Sequence, residues 1–177
     1  TRIAPDFALL KKTRFDSIID VRSPSEFLDD HMPEAINLPV LDDAQRAEIG
    51  TIYKQINPFE AKRSGAALVA QNIAGYLQTD LAKKDRNWRP LIYCWRGGHR
   101  SGAMAKIFSD IGWHSAVIEG GYKSYRKAVL DDLADLPAIF RLIVLSGPTG
   151  TAKSHILRSA AENGLQVLDL EGFANHR

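Results

Sequence analysis

Apolar residues come in short runs separated by longer amphipathic stretches, and that alternation predicts the elements of the chain. Residues 15–21 read as a short buried strand. Ser23 can cap a following helix, with Pro24 in its first turn and Glu26 completing a capping box. Residues 35–39 read as a second strand ended by Pro39. A helix starts near Asp42, and a longer one covers residues 59–81, with Ala66, Val69, Ile73, Leu77 and Leu81 on one face. Residues 90–94 form a third predicted strand, 101–111 a helix, and 115–119 a fourth strand closed by Gly120 and Gly121. A last helix covers 122–136, and Pro137 stops it. Strands alternating with helices predict an α/β fold with a mostly parallel sheet flanked by helices, in a domain of residues 1–137. The pattern then restarts: strand 140–145, a glycine-containing loop 146–154, helix 154–163, strand 166–170. This βαβ unit, residues 138–177, is too small to bury a core of its own. It reads as the truncated start of a second domain. There are no internal repeats or low-complexity segments.

The composition of the 177-residue chain, 45% apolar and 25% charged, is that of a globular protein. A formal charge of +2 argues against a strongly basic nucleic-acid module and leaves room for a local basic patch. No apolar run approaches the length of a membrane helix, and the opening residues lack the core of a secretory signal. Thr1 in place of Met points to a trimmed or processed start. The single cysteine, Cys94, excludes an intrachain disulfide and suits a reducing, cytoplasmic compartment.

That cysteine lies in the most informative stretch, Cys94-Trp95-Arg96-Gly97-Gly98-His99-Arg100-Ser101. It ends a predicted strand and precedes a helix. The loop N–H groups can converge as an anion cradle, the helix start adds its positive dipole end, and Arg96 and Arg100 add charge. Gly97 and Gly98 let the backbone curl. Each feature favours a thiolate nucleophile. A structural cysteine is the commoner fate of the residue, but these neighbours favour the reactive reading. His99 reads as a loop residue rather than a general acid. Arg100 has two readings, a cradle arginine or a scaffold residue tied to a distant carboxylate such as Glu26.

The run Asp20-Val21-Arg22-Ser23-Pro24-Ser25-Glu26-Phe27, then His31-Met32-Pro33-Glu34-Ala35-Ile36-Asn37-Leu38-Pro39, resembles the early signature of rhodanese domains. The cysteine loop and Glu119-Gly120-Gly121-Tyr122 match their later landmarks. The resemblance covers about residues 5–136. It implies that Cys94 carries a transferable sulfur as a persulfide, stabilised by the surrounding N–H groups. Asp20, Arg22, Glu26 and His31 then read as buried network and capping residues. Five residues separate Cys94 from Arg100, the spacing of cysteine-dependent phosphatases. Tyr93, standing where such enzymes usually have histidine, weakens that alternative.

Gly147-Pro148-Thr149-Gly150-Thr151-Ala152-Lys153-Ser154 follows an apolar run and opens a helix, the setting of a P-loop. Its N–H groups would wrap phosphates, Lys153 would reach the terminal phosphate, and Ser154 would offer its hydroxyl to Mg²⁺. Ala152 stands where the pattern has glycine, at a cost if the position needs a positive φ. Asp169 is a weak candidate for a second acidic site.

A rhodanese-like domain running straight into a P-loop resembles the bacterial tRNA 2-selenouridine synthase family. The segment Gly50-Thr51-Ile52-Tyr53-Lys54-Gln55-Ile56-Asn57-Pro58-Phe59-Glu60-Ala61-Lys62-Arg63-Ser64-Gly65 and the run Gly120-Gly121-Tyr122-Lys123-Ser124-Tyr125-Arg126 resemble it as well. The resemblance implies replacement of the sulfur of 2-thiouridine at the anticodon wobble position by selenium. It further implies selenophosphate as donor, a geranylated intermediate made from geranyl diphosphate, tRNA as partner, and Cys94 as selenium carrier. Lys54, Lys62, Arg63, Lys123, Arg126 and Lys127 are candidate RNA contacts or ordinary solvated charge. Trp95 and His99 are placed to stack on an extruded base. The other readings are a thiosulfate or persulfide sulfurtransferase, a cysteine-dependent phosphatase, and an inactive rhodanese domain used for binding. An intact Cys94 argues against the last.

Overall fold

The apolar runs assemble into one parallel sheet. The computed structural model describes residues 1–4, 15–135 and 141–174. Its strands are β1 (Arg2–Ile3), β2 (Ser17–Asp20), β3 (Ala35–Asn37), β4 (Pro90–Tyr93) and β5 (Ala116–Ile118). They lie in the order β1-β5-β4-β2-β3, every pairing parallel. The central strand, β4, sets Ile92 opposite both Ile19 and Val117. Side chains alternate along it, so Ile92 and Cys94 join one core layer while Leu91 and Tyr93 join the other.

The flanking helices are α1 (Pro24–Asp29), α2 (Asp43–Gln55), α3 (Pro58–Gln78), α4 (His99–Ile111) and α5 (Gly121–Asp135). Ile73 of α3 and Met104 and Phe108 of α4 cover the Cys94 side of the sheet. Tyr122 and Tyr125 of α5 cover the opposite side. Local sequence sets the helix starts. The Ser23 N–H donates to Glu26 at 3.2 Å, as the capping box requires. The Asp42 carboxylate accepts from the Gln45 N–H at 2.7 Å, and Asn57 accepts from the Phe59 N–H at 2.7 Å ahead of α3. α4 ends at Gly112, whose φ of 104° is left-handed.

Three expectations differ from the fold of this unit and of the tail. β1 was not foreseen: two residues carry no periodicity, and β5 supplies the ladder that makes them a strand. On α3, Ala66 is exposed; the buried line runs through Ala61, Gly65 and Ile73. Gly65 is drawn inside because α2 passes close by, and a Cβ there would sit 3.4 Å from Ile49 Cγ2. The strands expected at 140–145 and 166–170 form no ladder among the described residues, and Leu170 starts a helix instead. A lone pair of parallel strands lacks the neighbours that stabilise it. Leu136, Pro137 and Phe140, where a helix end and a strand start were expected, lie outside the described residues.

Contacts divide the chain into Thr1–Asp135 and Leu136–Arg177. The second unit holds α6 (Lys153–Glu162) and α7 (Leu170–Ala174). No described helix is long and apolar enough to cross a membrane.

Candidate active site

Cys94 leaves the C-terminal end of β4 and is only 3% exposed. α4 begins five residues later at His99, so its unpaired N–H groups and positive dipole end lie beside the thiol. Ser101, fully buried in the first turn of α4, brings its Oγ to 3.2 Å from Cys94 Sγ. Burial alone pushes the thiol pKa up. The Ser101 hydroxyl, the Ser101 and Gly98 N–H groups and the charge of Arg100 outweigh it and hold the thiol below its ordinary value.

The loop is pressed against the start of α5. Tyr122 N–H donates to the Cys94 carbonyl at 2.8 Å, and Lys123 N–H to the Trp95 carbonyl at 3.0 Å. Gly121 has a φ of +63°, and a Cβ on it would stand 2.2 Å from the Cys94 carbonyl oxygen. Gly97 has the same sign of φ, and its Cβ would meet the Ile118 carbonyl at 2.5 Å. Glycine is required at both positions. Gly98 has φ −99° and open space around it, so the tight curl belongs to Gly97 alone. Gly121 was legible in sequence only as a landmark; its place against the cysteine loop comes from β5 lying beside β4.

The remaining loop residues take different positions. Trp95, Arg96, Gly98 and His99 are exposed at the mouth, and His99 is the first residue of α4. Arg100 is bound to Glu26 at 2.8 Å, and Arg46 reaches the same carboxylate at 3.3 Å. Burial pushes the Glu26 carboxyl up. The hydrogen bond and charge of Arg100, the Ser23 N–H and the charge of Arg46 more than reverse it, leaving Glu26 below its usual range. The scaffold reading of Arg100 therefore describes its contacts, while its charge still acts on Cys94.

Beneath the mouth, Arg22 and Asp20 form a buried ion pair at 2.7 Å, and Arg22 also donates to the Asp30 carbonyl at 2.6 Å. The Arg22 guanidinium carbon sits 4.1 Å from the centre of the Tyr122 ring. His31 stacks on Phe27 and bonds to its carbonyl at 2.8 Å. Asp20 and Arg22 are thus buried network residues and Glu26 a half-buried capping residue, whereas His31, expected to be buried, is exposed and bonds to the end of α1.

In the second unit, Ala152 precedes α6 with φ 57° and ψ 24°, a left-handed alanine. Lys153 Nζ donates to the Gly147 and Pro148 carbonyls at 2.9 and 2.8 Å, so the ammonium lies over the loop. Thr151 Oγ1 closes the turn onto the Pro148 carbonyl at 2.8 Å. Gly147, Thr149, Gly150 and Ser154 complete the predicted stretch, and Ser154 is exposed in the first turn of α6.

The model of the rhodanese-like domain family matches residues 7–128. The chain is 37% identical over 161 residues to the tRNA 2-selenouridine synthase of Nitrosomonas europaea, covering 90% of this chain and 42% of that protein. It is 39% identical over 164 residues to the protein of the same name from Proteus mirabilis, covering 90% and 43%. The chain thus spans about two-fifths of the length of the curated relatives it matches. Among solved structures, the N-terminal domain of a Clostridium difficile 630 protein named for ATP/GTP binding superposes with a TM-score of 0.63 at 36% identity, covering 73% of this chain and 99% of that one.

Proposed function

This chain belongs to the rhodanese-like domain family, and from that premise we propose that it is part of a tRNA-modifying transferase. In this reading the enzyme replaces the sulfur of 2-thiouridine at the anticodon wobble position with selenium from selenophosphate, through a geranylated intermediate, and Cys94 carries the selenium. The observation that carries the proposal is the thiol itself. It ends a central strand, opposes the start of α4, lies 3.2 Å from the Ser101 hydroxyl and has a lowered pKa. Such a site stabilises a negatively charged sulfur or selenium held on Cys94 as well as the free thiolate. The name shared by the two tRNA 2-selenouridine synthases supports tRNA as the substrate.

The thiolate is the nucleophile, and the N–H groups of Gly98 and Ser101 stabilise the negative charge there. Gly98 and Ser101 supply the N–H groups of the cradle, Gly97 its curl and Arg100 its charge, while Trp95, Arg96 and His99 stand exposed at its mouth. The stretch from Gly147 to Ser154 would hold a phosphate-bearing substrate, geranyl diphosphate or a nucleoside triphosphate, with Lys153 turning from the loop carbonyls to the phosphate. A Mg²⁺ ion bound with that substrate would meet the Ser154 hydroxyl and would neutralise phosphate charge. No cluster of three His, Cys, Asp or Glu side chains exists among the described residues, so phosphate oxygens and water would complete its shell.

A persulfide sulfurtransferase would use the same thiol and is separated from this proposal by the atom it takes. A phosphatase is disfavoured, because Arg100 is engaged by Glu26. Intact-mass measurement of the full-length enzyme decides among them. With thiosulfate the thiolate takes one sulfur atom and sulfite departs. Selenium in selenophosphate is at the selenide level, so its capture is assayed with added glutathione disulfide: water takes the phosphoryl group, phosphate departs as the P–Se bond breaks, the S–Se bond forms on Cys94, and the two electrons released reduce the disulfide to two glutathiones. A mass gain of one selenium, absent in Cys94→Ser, is the expected result. Selenation of tRNA by Cys94→Ser at the wild-type rate would remove the carrier role.

A further inference from the structure

A nearly buried thiol cannot reach an atom inside a stacked nucleobase unless the base leaves its stack, and an extruded base needs a new surface to lie on. Such a surface stands next to the thiol. Trp95 is 39% exposed, whereas the other two tryptophans, Trp88 and Trp113, are 5% and 8% exposed. Its indole lies against two fixed groups. The Tyr122 ring lies 5.8 Å away at an interplanar angle of 32°, and the Arg22 guanidinium carbon lies 5.9 Å from the indole centre. Arg22 cannot drift, because Asp20 and the Asp30 carbonyl fix it at 2.7 and 2.6 Å. Ordering cost is therefore already met in the free protein, which is what a stacking surface needs. Two exposed cations are its backbone neighbours. Arg96 is the next residue, and Lys123 is tied to the Trp95 carbonyl through its backbone N–H at 3.0 Å. An exposed aromatic ring with cationic neighbours is the pattern that receives a base and its adjoining phosphates.

Building on the proposed function, we infer that Trp95 is the platform on which the pyrimidine of the RNA substrate stacks to present its 2-position to Cys94. Tyr122 and Arg22 are positioning residues that act through Trp95.

Binding is tested with the full-length protein and a labelled anticodon stem–loop RNA carrying one 2-thiouridine, with no selenium donor present. Fluorescence anisotropy should show Trp95→Ala binding about tenfold more weakly, the usual loss for one base–aromatic stack. Trp95→Phe, which keeps a ring, should retain most of the affinity. Both variants should melt at the wild-type temperature. The RNA should also quench tryptophan emission in the wild type, and Trp95→Phe should lose the part of that quenching that Trp95 contributes, Trp88 and Trp113 of this domain being buried. Wild-type affinity in Trp95→Ala, quenching undiminished in Trp95→Phe, or a loss of affinity matched by a fall in melting temperature would each overturn the assignment. So would a defect confined to geranylated RNA, which would make Trp95 a site for the isoprenoid chain. A protein that binds the RNA through Trp95 yet never gains selenium on Cys94 would retire the carrier proposal and leave the platform standing.

Discussion

At the residue scale the site depends on a balance around one sulfur atom. Burial disfavours the thiolate, and the hydrogen bonds from Ser101 and Gly98 with the charge of Arg100 overcome it. Because the folded pKa is depressed, the thiolate's contribution to stability is complete above the unfolded thiol value and fades as pH falls through the folded one. Ser101→Ala removes one donor and leaves both N–H groups. We expect its iodoacetamide alkylation at neutral pH to slow by about tenfold, the loss of one hydrogen bond to a charged group, with the pH profile displaced upward. An unchanged profile would show that the hydroxyl does not stabilise the thiolate. Arg100→Ala acts on two groups at once. Its ion pair with Glu26 leaves the side chains 22% and 14% exposed, between a surface pair and a buried one. The variant should lose about 1–3 kcal/mol in urea melts at neutral pH. Glu26 has a lowered pKa, so that stabilisation is full above its ordinary value of 4.5 and is lost as pH falls through the folded value. The gap between wild type and Arg100→Ala should therefore close in acid. Cys94 alkylation should also slow, because the arginine's charge no longer reaches it.

At the scale of elements, the α2–α3 hairpin shows how a small residue sets a distance. Gly65 faces Ile49, and an added Cβ falls at the edge of ordinary contact, 3.4 Å from Cγ2. A leucine there has no room to extend. Gly65→Leu should destabilise the protein by about 1–3 kcal/mol through overpacking. Ala66→Lys, one residue on and exposed, should change stability by less than about 0.5 kcal/mol. Paired denaturation curves check both. Equal effects would mean that the helix is rotated about its axis from the arrangement described. α4 connects this scale to the chemistry: Met104 and Phe108 anchor it in the core, and that anchoring holds Ser101 against the sulfur.

At the scale of the whole molecule, the two proposed phosphate- and chalcogen-handling sites sit in separate units. In the full-length enzyme Lys153→Ala should weaken binding of geranyl diphosphate or nucleotide, measured by calorimetry, while the mass adduct on Cys94 still forms. Loss of the adduct would mean that the two sites are not independent. Ala152→Gly should do the opposite to affinity. A left-handed alanine costs about 1 kcal/mol, so glycine should tighten phosphate binding severalfold if the bound loop keeps the same φ. Weaker binding in that variant would show that the bound loop has a different backbone.

Much of this was written locally. Apolar runs marked β2 to β5, and Ser23, Pro24 and Glu26 marked the start of α1, because strand burial and helix capping are set by residues a few positions apart. The cysteine loop and the start of its helix were legible for the same reason. Other features required the folded chain. β1 exists because β5 offers it a ladder, Ala66 lies outside because α2 crosses at Gly65, and the described residues of the tail form no ladder. The site divides in the same way. Cys94, Ser101 and Gly97 are close in sequence, so their pattern could be read. Gly121 against the Cys94 carbonyl, Tyr122 and Arg22 beside Trp95, and the choice of Glu26 as the partner of Arg100 join residues brought together only by parallel crossovers. Sequence spacing fixes backbone preference and periodicity, while the order of strands in the sheet decides which distant loops meet at the end of β4.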